Sequence, residues 1–114
     1  MTYWTYLDTL VAESTIEIDR PKGSRHPRNQ AVVYPLDYGY LDETKADDGD
    51  GIDIWVGSKP DPKQVEGIIT TVDLAKRDAE IKILFGTTDE EISLALETHN
   101  AGTQAAKLIR READ

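Results

Sequence analysis

The chain has no cysteine, one methionine and one phenylalanine, and its 13 lysines and arginines are outnumbered by 22 aspartates and glutamates. Without cysteine there is no disulfide, no thiolate metal site and no cysteine nucleophile, which suits a reducing compartment. A formal charge of −9 lacks the cationic excess with which proteins hold a nucleic-acid backbone, so nucleic acid is not the expected partner. A cation, or an anion carried with a cation, fits better. No apolar run approaches the roughly 20 residues that span a bilayer, and Met1-Thr2-Tyr3-Trp4 has neither the basic flank nor the apolar core of a signal peptide. The expectation is a cytoplasmic protein with no membrane partner. Its 114 residues allow a single domain over 1–114 with one modest core; an assembly of identical copies is left open.

Acid is concentrated in one place. Asp47-Asp48-Gly49-Asp50-Gly51-Ile52-Asp53-Ile54-Trp55-Val56 crowds carboxylates around two glycines and then alternates. Carboxylates held this close repel one another unless cations, protons or water offset the charge. Ile52, Ile54 and Val56 share one face of an extended segment, so an acid loop feeds a buried strand.

Before it, Trp4, Leu7, Leu10 and Val11 recur at helical spacing, predicting a first helix to about Ser14. Thr15 to Asp19 alternates, with Ile16 and Ile18 inward and Glu17 on the opposite face. Arg20-Pro21-Lys22-Gly23-Ser24-Arg25-His26-Pro27-Arg28 inverts the local charge. Its prolines and glycine make it a loop, and guanidinium forks and backbone N–H groups suit phosphate or carboxylate oxygens. As plain structure it is a solvated counter-charge. His26 has no second histidine at ligand spacing and reads as a surface or hydrogen-bonding residue. Ala31 to Tyr34 predicts a short strand, and Tyr34-Pro35-Leu36-Asp37-Tyr38-Gly39-Tyr40 a turn lined by tyrosines.

Beyond the acid loop, Val65 to Val72 and Ile81 to Phe85 predict a hairpin whose turn carries Asp73 and Asp78. Thr88 followed by Glu91 is a capping pair, and Ile92, Ala95, Leu96 and His99 continue a helix to about Asn100 or Gly102. The tail around Leu108-Ile109 fits helix or strand. Four to six short strands with a helix towards each end predict a small, mainly β, α+β domain with a barrel or curled sheet.

Oxygen ligands without cysteine or paired histidine suit magnesium, manganese or calcium. An EF-hand fails on spacing, because counting from Asp48 puts Ile52 at the fifth position and Lys59 at the twelfth, where acid is required. A haloacid-dehalogenase-type motif fails because Thr44-Lys45-Ala46-Asp47, and no apolar strand, precedes Asp48. Gathered acids beside a basic loop are the equipment of metal-assisted phosphoryl hydrolysis, in which bound ions acidify water and neutralise the oxygens under attack.

Asp48-Gly49-Asp50-Gly51-Ile52-Asp53-Ile54 resembles the signature of the soluble (family I), magnesium-dependent inorganic pyrophosphatases. The likeness extends in order through Ile16-Glu17-Ile18, Pro21-Lys22-Gly23-Ser24-Arg25, Tyr34-Pro35 to Tyr40, and Val72-Asp73 with Asp78. It implies an OB-like five-stranded β-barrel with flanking helices. It implies also that Asp48, Asp50, Asp53, Asp73 and Asp78 hold magnesium, with manganese as a substitute. Asp50 would be the base for the attacking water, Glu17 would support the site and Tyr38 would hold substrate.

Departures fall on the phosphate ligands. Pro27 and Asn29 stand where the family has lysine and glutamate, the segment supplying an arginine is shortened, and Gly51 replaces a proline. A family lysine falls on Glu80, unless Glu80 is the second acid and Lys82 that lysine. The family's tyrosine-lysine pair has no counterpart around Glu97 to Asn100. The resemblance is thus to a compact, divergent branch in which Lys22, Arg25, His26, Arg28 or Lys82 binds phosphate. Hydrolysis of pyrophosphate is the leading expectation. The alternative is a catalytically silent or differently specific module that binds magnesium and a small phosphorylated ligand.

Overall fold

In a computed structural model that describes residues 2–46 and 49–112, the chain starts on a capped helix. The Thr2 side chain accepts the Thr5 N–H while the Thr5 hydroxyl accepts the Thr2 N–H, satisfying two donors at the start of α1 (Tyr3–Ala12). Trp4, Leu7 and Val11 form its buried stripe. Then come β1 (Ile16–Arg20), β2 (Asp37–Leu41), β3 (Ile52–Val56), β4 (Val65–Asp73), β5 (Asp78–Phe85), α2 (Asp89–His99) and β6 (Gln104–Arg110). They make one sheet in the order β1-β2-β3-β5-β4-β6, antiparallel throughout except where β3 runs parallel to β5.

The alternation of β3 divides the molecule. Ile54 is fully buried on the α1 side with Leu41, Val65, Ile68 and Ile83, and Ile52 and Val56 pack against the same cluster. Trp55 points the other way, into a second cluster with Tyr34, Leu36, Ile69, Leu84, Ile92 and Ala95 beneath α2. Both helices therefore cover the sheet, one on each face. The Thr88–Glu91 capping box holds at the start of α2, and Glu91 also accepts the Ser58 N–H at 3.0 Å, tying the loop after β3 to the helix.

The mainly β, OB-like architecture expected from the sequence is the one observed, with six strands in place of five and the sheet open at β1 and β6. The sixth strand is the ambiguous tail, where Gln104, Ala106 and Leu108 turn inward between exposed neighbours. Two local expectations differ. Ala31 to Tyr34 makes only the isolated bridge Arg25–Val33, and the tyrosine segment contains β2 where a turn was predicted. Its glycine is there for close approach: a Cβ on Gly39 would lie 1.8 Å from the Glu17 carbonyl oxygen, so only glycine lets β1 lie against β2. Among the described residues, no helix is long and apolar enough to cross a membrane.

Candidate functional site

Strand register sets the site on the α2 face. Glu17, Tyr40, Asp53 and Lys82 stand in one row across β1, β2, β3 and β5. The β1–β2 register slips between Ile18 and Arg20, so Asp19 bulges out and Arg20 comes opposite Tyr38. The bulge returns Arg20 to the face that Glu17 occupies. A second row then reads Arg20, Tyr38, Trp55 and Leu84.

Lys82 is the centre. Its Nζ lies 2.5 Å from Asp53 Oδ2 and 2.6 Å from Glu80 Oε2, and the residue is only 7% exposed. The same nitrogen sits 5.9 Å from the centroid of the Tyr38 ring. Burial alone would depress the lysine pKa, but Tyr38, Asp53 and Glu80 outweigh it and the pKa is raised, so the side chain is an ammonium at neutral pH. For Tyr38, burial dominates and pushes the phenol well above its ordinary value, leaving its hydroxyl a proton donor at neutral pH.

Stacked rings tie the basic loop to this floor. His26 lies on Tyr34 (6.4 Å between centroids) and Tyr34 on Tyr38 (5.6 Å), while Trp55 meets Tyr38 at a tilt of 54° with centroids 4.5 Å apart. Burial raises the Tyr34 pKa, while the field of Arg20 and its hydrogen bond to the Tyr34 hydroxyl act against that rise. Below, Trp55 Nε1 donates to His99 Nε2 at 3.0 Å. Indole is a donor only, so the histidine proton is on Nδ1, where it meets Gln104 Oε1 at 3.2 Å. Burial, reinforced by the Lys82 charge, lowers the His99 pKa to about 4.

The second acid pair lies farther along the same face. Asp73 and Asp78 are directly opposite one another at the end of the β4–β5 hairpin. Asp73 Oδ1 accepts from the Ala75 N–H (3.0 Å), the Lys76 N–H (3.2 Å) and the Thr103 hydroxyl (2.9 Å). The Lys76 N–H first, then the Thr103 hydroxyl, hold this carboxyl below the usual range. Asp78, Glu80 and Lys82 follow at period two on β5. Asp50 is exposed in the turn before β3. Asp48, with Asp47, lies outside the described residues.

Among the described residues, no three histidine or acidic side chains converge on a point that could hold a metal ion. Asp53 and Glu80 are drawn onto Lys82, and one oxygen of Asp73 onto its turn. In kind the donors fit a hard divalent ion, since Asp50, Asp73 and Asp78 offer only carboxylate oxygen.

The remaining candidates form a rim. Glu17 is exposed two strands from Asp53, about 10 Å away by strand spacing. Lys22 is exposed and its N–H donates to Asp37 Oδ1 at 2.9 Å. Arg25 donates to the Gln30 carbonyl at 2.7 Å, and the exposed Arg28 gives its N–H to His26 Nδ1 at 3.0 Å. The fold thus joins Tyr38, Asp53 and Lys82 and leaves Asp50, Glu17, Lys22, Arg25 and Arg28 in solvent around them. Trp55 and His99 join this face without having been singled out, and Arg20 and Tyr34 were read only as members of the basic loop and the tyrosine segment. The bulge that turns Arg20 inward leaves no composition signal, and His99 meets Trp55 across 44 positions. Gly51 also finds its reason. A Cβ there would lie 2.7 Å from both the Leu41 carbonyl oxygen and Tyr40 Cδ2, so Tyr40 takes the space of a proline ring.

A family model described as Inorganic pyrophosphatase matches residues 12–93, more than two thirds of the chain. The class so defined is a hydrolase acting on phosphoanhydride bonds. The chain belongs to the inorganic pyrophosphatase family. Two solved structures share the fold. A protein described as an inorganic phosphatase from Anaplasma phagocytophilum superposes with a TM-score of 0.58 at 14% identity, over 83% of this chain and 81% of that one. An inorganic pyrophosphatase from Coxiella burnetii superposes with a TM-score of 0.54 at 16% identity, over 85% and 82%. A search of curated proteins returns no match.

Proposed function

We propose that this chain is a cytoplasmic, magnesium-dependent hydrolase of inorganic pyrophosphate. The observation that carries it is the α2 face of the sheet, where acids from β3, β4 and β5 share one side with Tyr38, Lys82 and Arg20, in a chain of this family.

Asp48, Asp50, Asp73 and Asp78 would hold magnesium, or manganese in its place. When bound, such ions lower the pKa of water and neutralise charge on phosphoryl oxygens. The chain's own groups do the rest. Tyr38, kept protonated by burial, donates to a phosphoryl oxygen. Arg20, with Lys22, Arg25 and Arg28 on the rim, supplies positive charge where the substrate's anionic end lies. Water adds to one phosphorus, the bridging oxygen leaves with the second phosphate, and Asp50 takes the water's proton. Glu17 balances the cationic side of the site.

Phosphate release from pyrophosphate, measured with and without magnesium and in Asp50→Asn, tests this. Turnover should require the ion and fall by roughly 10²- to 10⁴-fold in the variant; metal-independent or variant-insensitive turnover would falsify the mechanism. One observation favours a second reading: Lys82 is already committed to two carboxylates, and the loop lysines and arginines are exposed. A silent magnesium- and phosphate-binding module would show saturable binding of imidodiphosphate by calorimetry with no hydrolysis of any phosphoanhydride.

A further inference from the structure

Lys82 stands where two acids of the sheet are already drawn together around one positive charge. We propose that its ammonium is a resident cation, taking the place of one divalent ion between Asp53 and Glu80, so that metal binds only on the loop and hairpin side of the site. The choice of ion rests on the hydrolase reading above; the place of the lysine rests on strand register.

The parallel pairing of β3 and β5 sets Asp53 directly beside Lys82, and Glu80 lies two residues back on the same face of β5. Both carboxylates hold the same nitrogen, at 2.5 and 2.6 Å. Their oxygens are therefore close enough to share one cation, and lysine is that cation. It cannot readily step aside. Lys82 is 7% exposed and packs beside the Tyr38 ring, so an ion entering between Asp53 and Glu80 would leave an unpaired ammonium in a buried place, at high cost.

Charge explains why such an exchange is tolerated. With Lys82 the trio carries one net negative charge, against two without any cation, and no ion need be recruited to keep the carboxylates together. Asp53 then differs from the other acids of the resemblance: it positions the ammonium and does not ligate metal. Asp73 and Asp78 lie apart from this trio, at the end of the hairpin. Removing the ammonium while keeping the volume should open the vacated place to a divalent ion.

Manganese bound per chain, counted by electron paramagnetic resonance on the full-length protein and on Lys82→Met, tests this. The variant should bind one ion more than the native chain, and the added ion should raise its melting temperature. An equal or lower count in a folded Lys82→Met overturns the assignment. Should that variant not fold, Asp53→Asn decides the matter with Lys82 in place. Its manganese affinity should stay within roughly threefold of the native value, whereas removing a true ligand weakens binding at least roughly tenfold, and that second result overturns the assignment. Pyrophosphate turnover in the same native sample separates the two ideas. A gained ion with no native turnover supports the resident cation and removes the hydrolase reading; native turnover with unchanged ion counts does the reverse.

Discussion

The two faces of the sheet are built from the same strands and do different work. On the α1 face, Leu41, Ile54, Val65 and Ile83 are fully buried and aliphatic. On the α2 face, Trp55, Ile69 and Leu84 are as deeply buried, but Tyr38, Asp53, Glu80, Lys82 and His99 stand among them. The first face stabilises mainly through dispersion and apolar burial, with the Asp8–Arg111 pair, 2.8 Å apart, at its edge. The second accepts buried charge and satisfies it, through the Asp53–Lys82–Glu80 contacts and the Trp55–His99–Gln104 chain. Period-two alternation sends Tyr38, Asp53, Glu80 and Lys82 to one side, and the bulge at Asp19 adds Arg20.

Substitutions on each side should break or sharpen that contrast. Ile54→Ala on the aliphatic face should lose about 2–5 kcal/mol in urea unfolding, through lost burial and an unfilled cavity. Turnover per folded molecule should not change, and a fall in it would deny that the faces are separate. On the other face the expected signature is dependence on pH. His99 has a folded pKa of about 4 against an ordinary 6.5, so the unfolded chain binds more protons in between. Its contribution is complete above about pH 6.5 and is lost as pH falls towards 4, to the order of 3 kcal/mol. Denaturant melts at pH 7.5, 5.5 and 4 should show His99→Gln with a flatter profile than the native chain, and parallel profiles would refute this origin.

At the border between acid loop and strand, Gly51→Pro should cost about 1–3 kcal/mol, because the ring would meet Tyr40 and the Leu41 carbonyl. A thermal melt that does not move would show that Tyr40 yields. The smallest effect belongs to neither face. Asp89 pairs with Arg110 at 3.0 Å with both side chains largely in solvent, so Asp89→Asn should change stability by less than about 1 kcal/mol, a difference that disappears in high salt.

Much of the fold was legible because its signals are local. The helix of Trp4, Leu7 and Val11, the β4–β5 hairpin and the Thr88–Glu91 capping box each depend on neighbours a few residues apart. Gly39 misled: beside Pro35 and three tyrosines it reads as a turn, whereas its role is to admit the Glu17 carbonyl. The site was legible as an inventory of acids, tyrosines and a basic loop, and hardly at all as a geometry. Nothing in the spacing of Lys82, a candidate phosphate ligand, announces that its ammonium also meets Asp53 and Glu80.

By itself, the sequence determined the residue types at the site, their order along the chain, and the alternation that sends Ile54 to one face and Asp53 and Trp55 to the other. Only the tertiary structure decided partners. Asp53 meets Lys82 because β3 pairs in parallel with β5, and Arg20 joins Tyr38 because β1 bulges at Asp19. The physical reason is that periodicity is written in neighbouring residues, while strand order and register are settled by the packing of the whole sheet. A slip of one residue in that register would turn every one of these side chains to the opposite face.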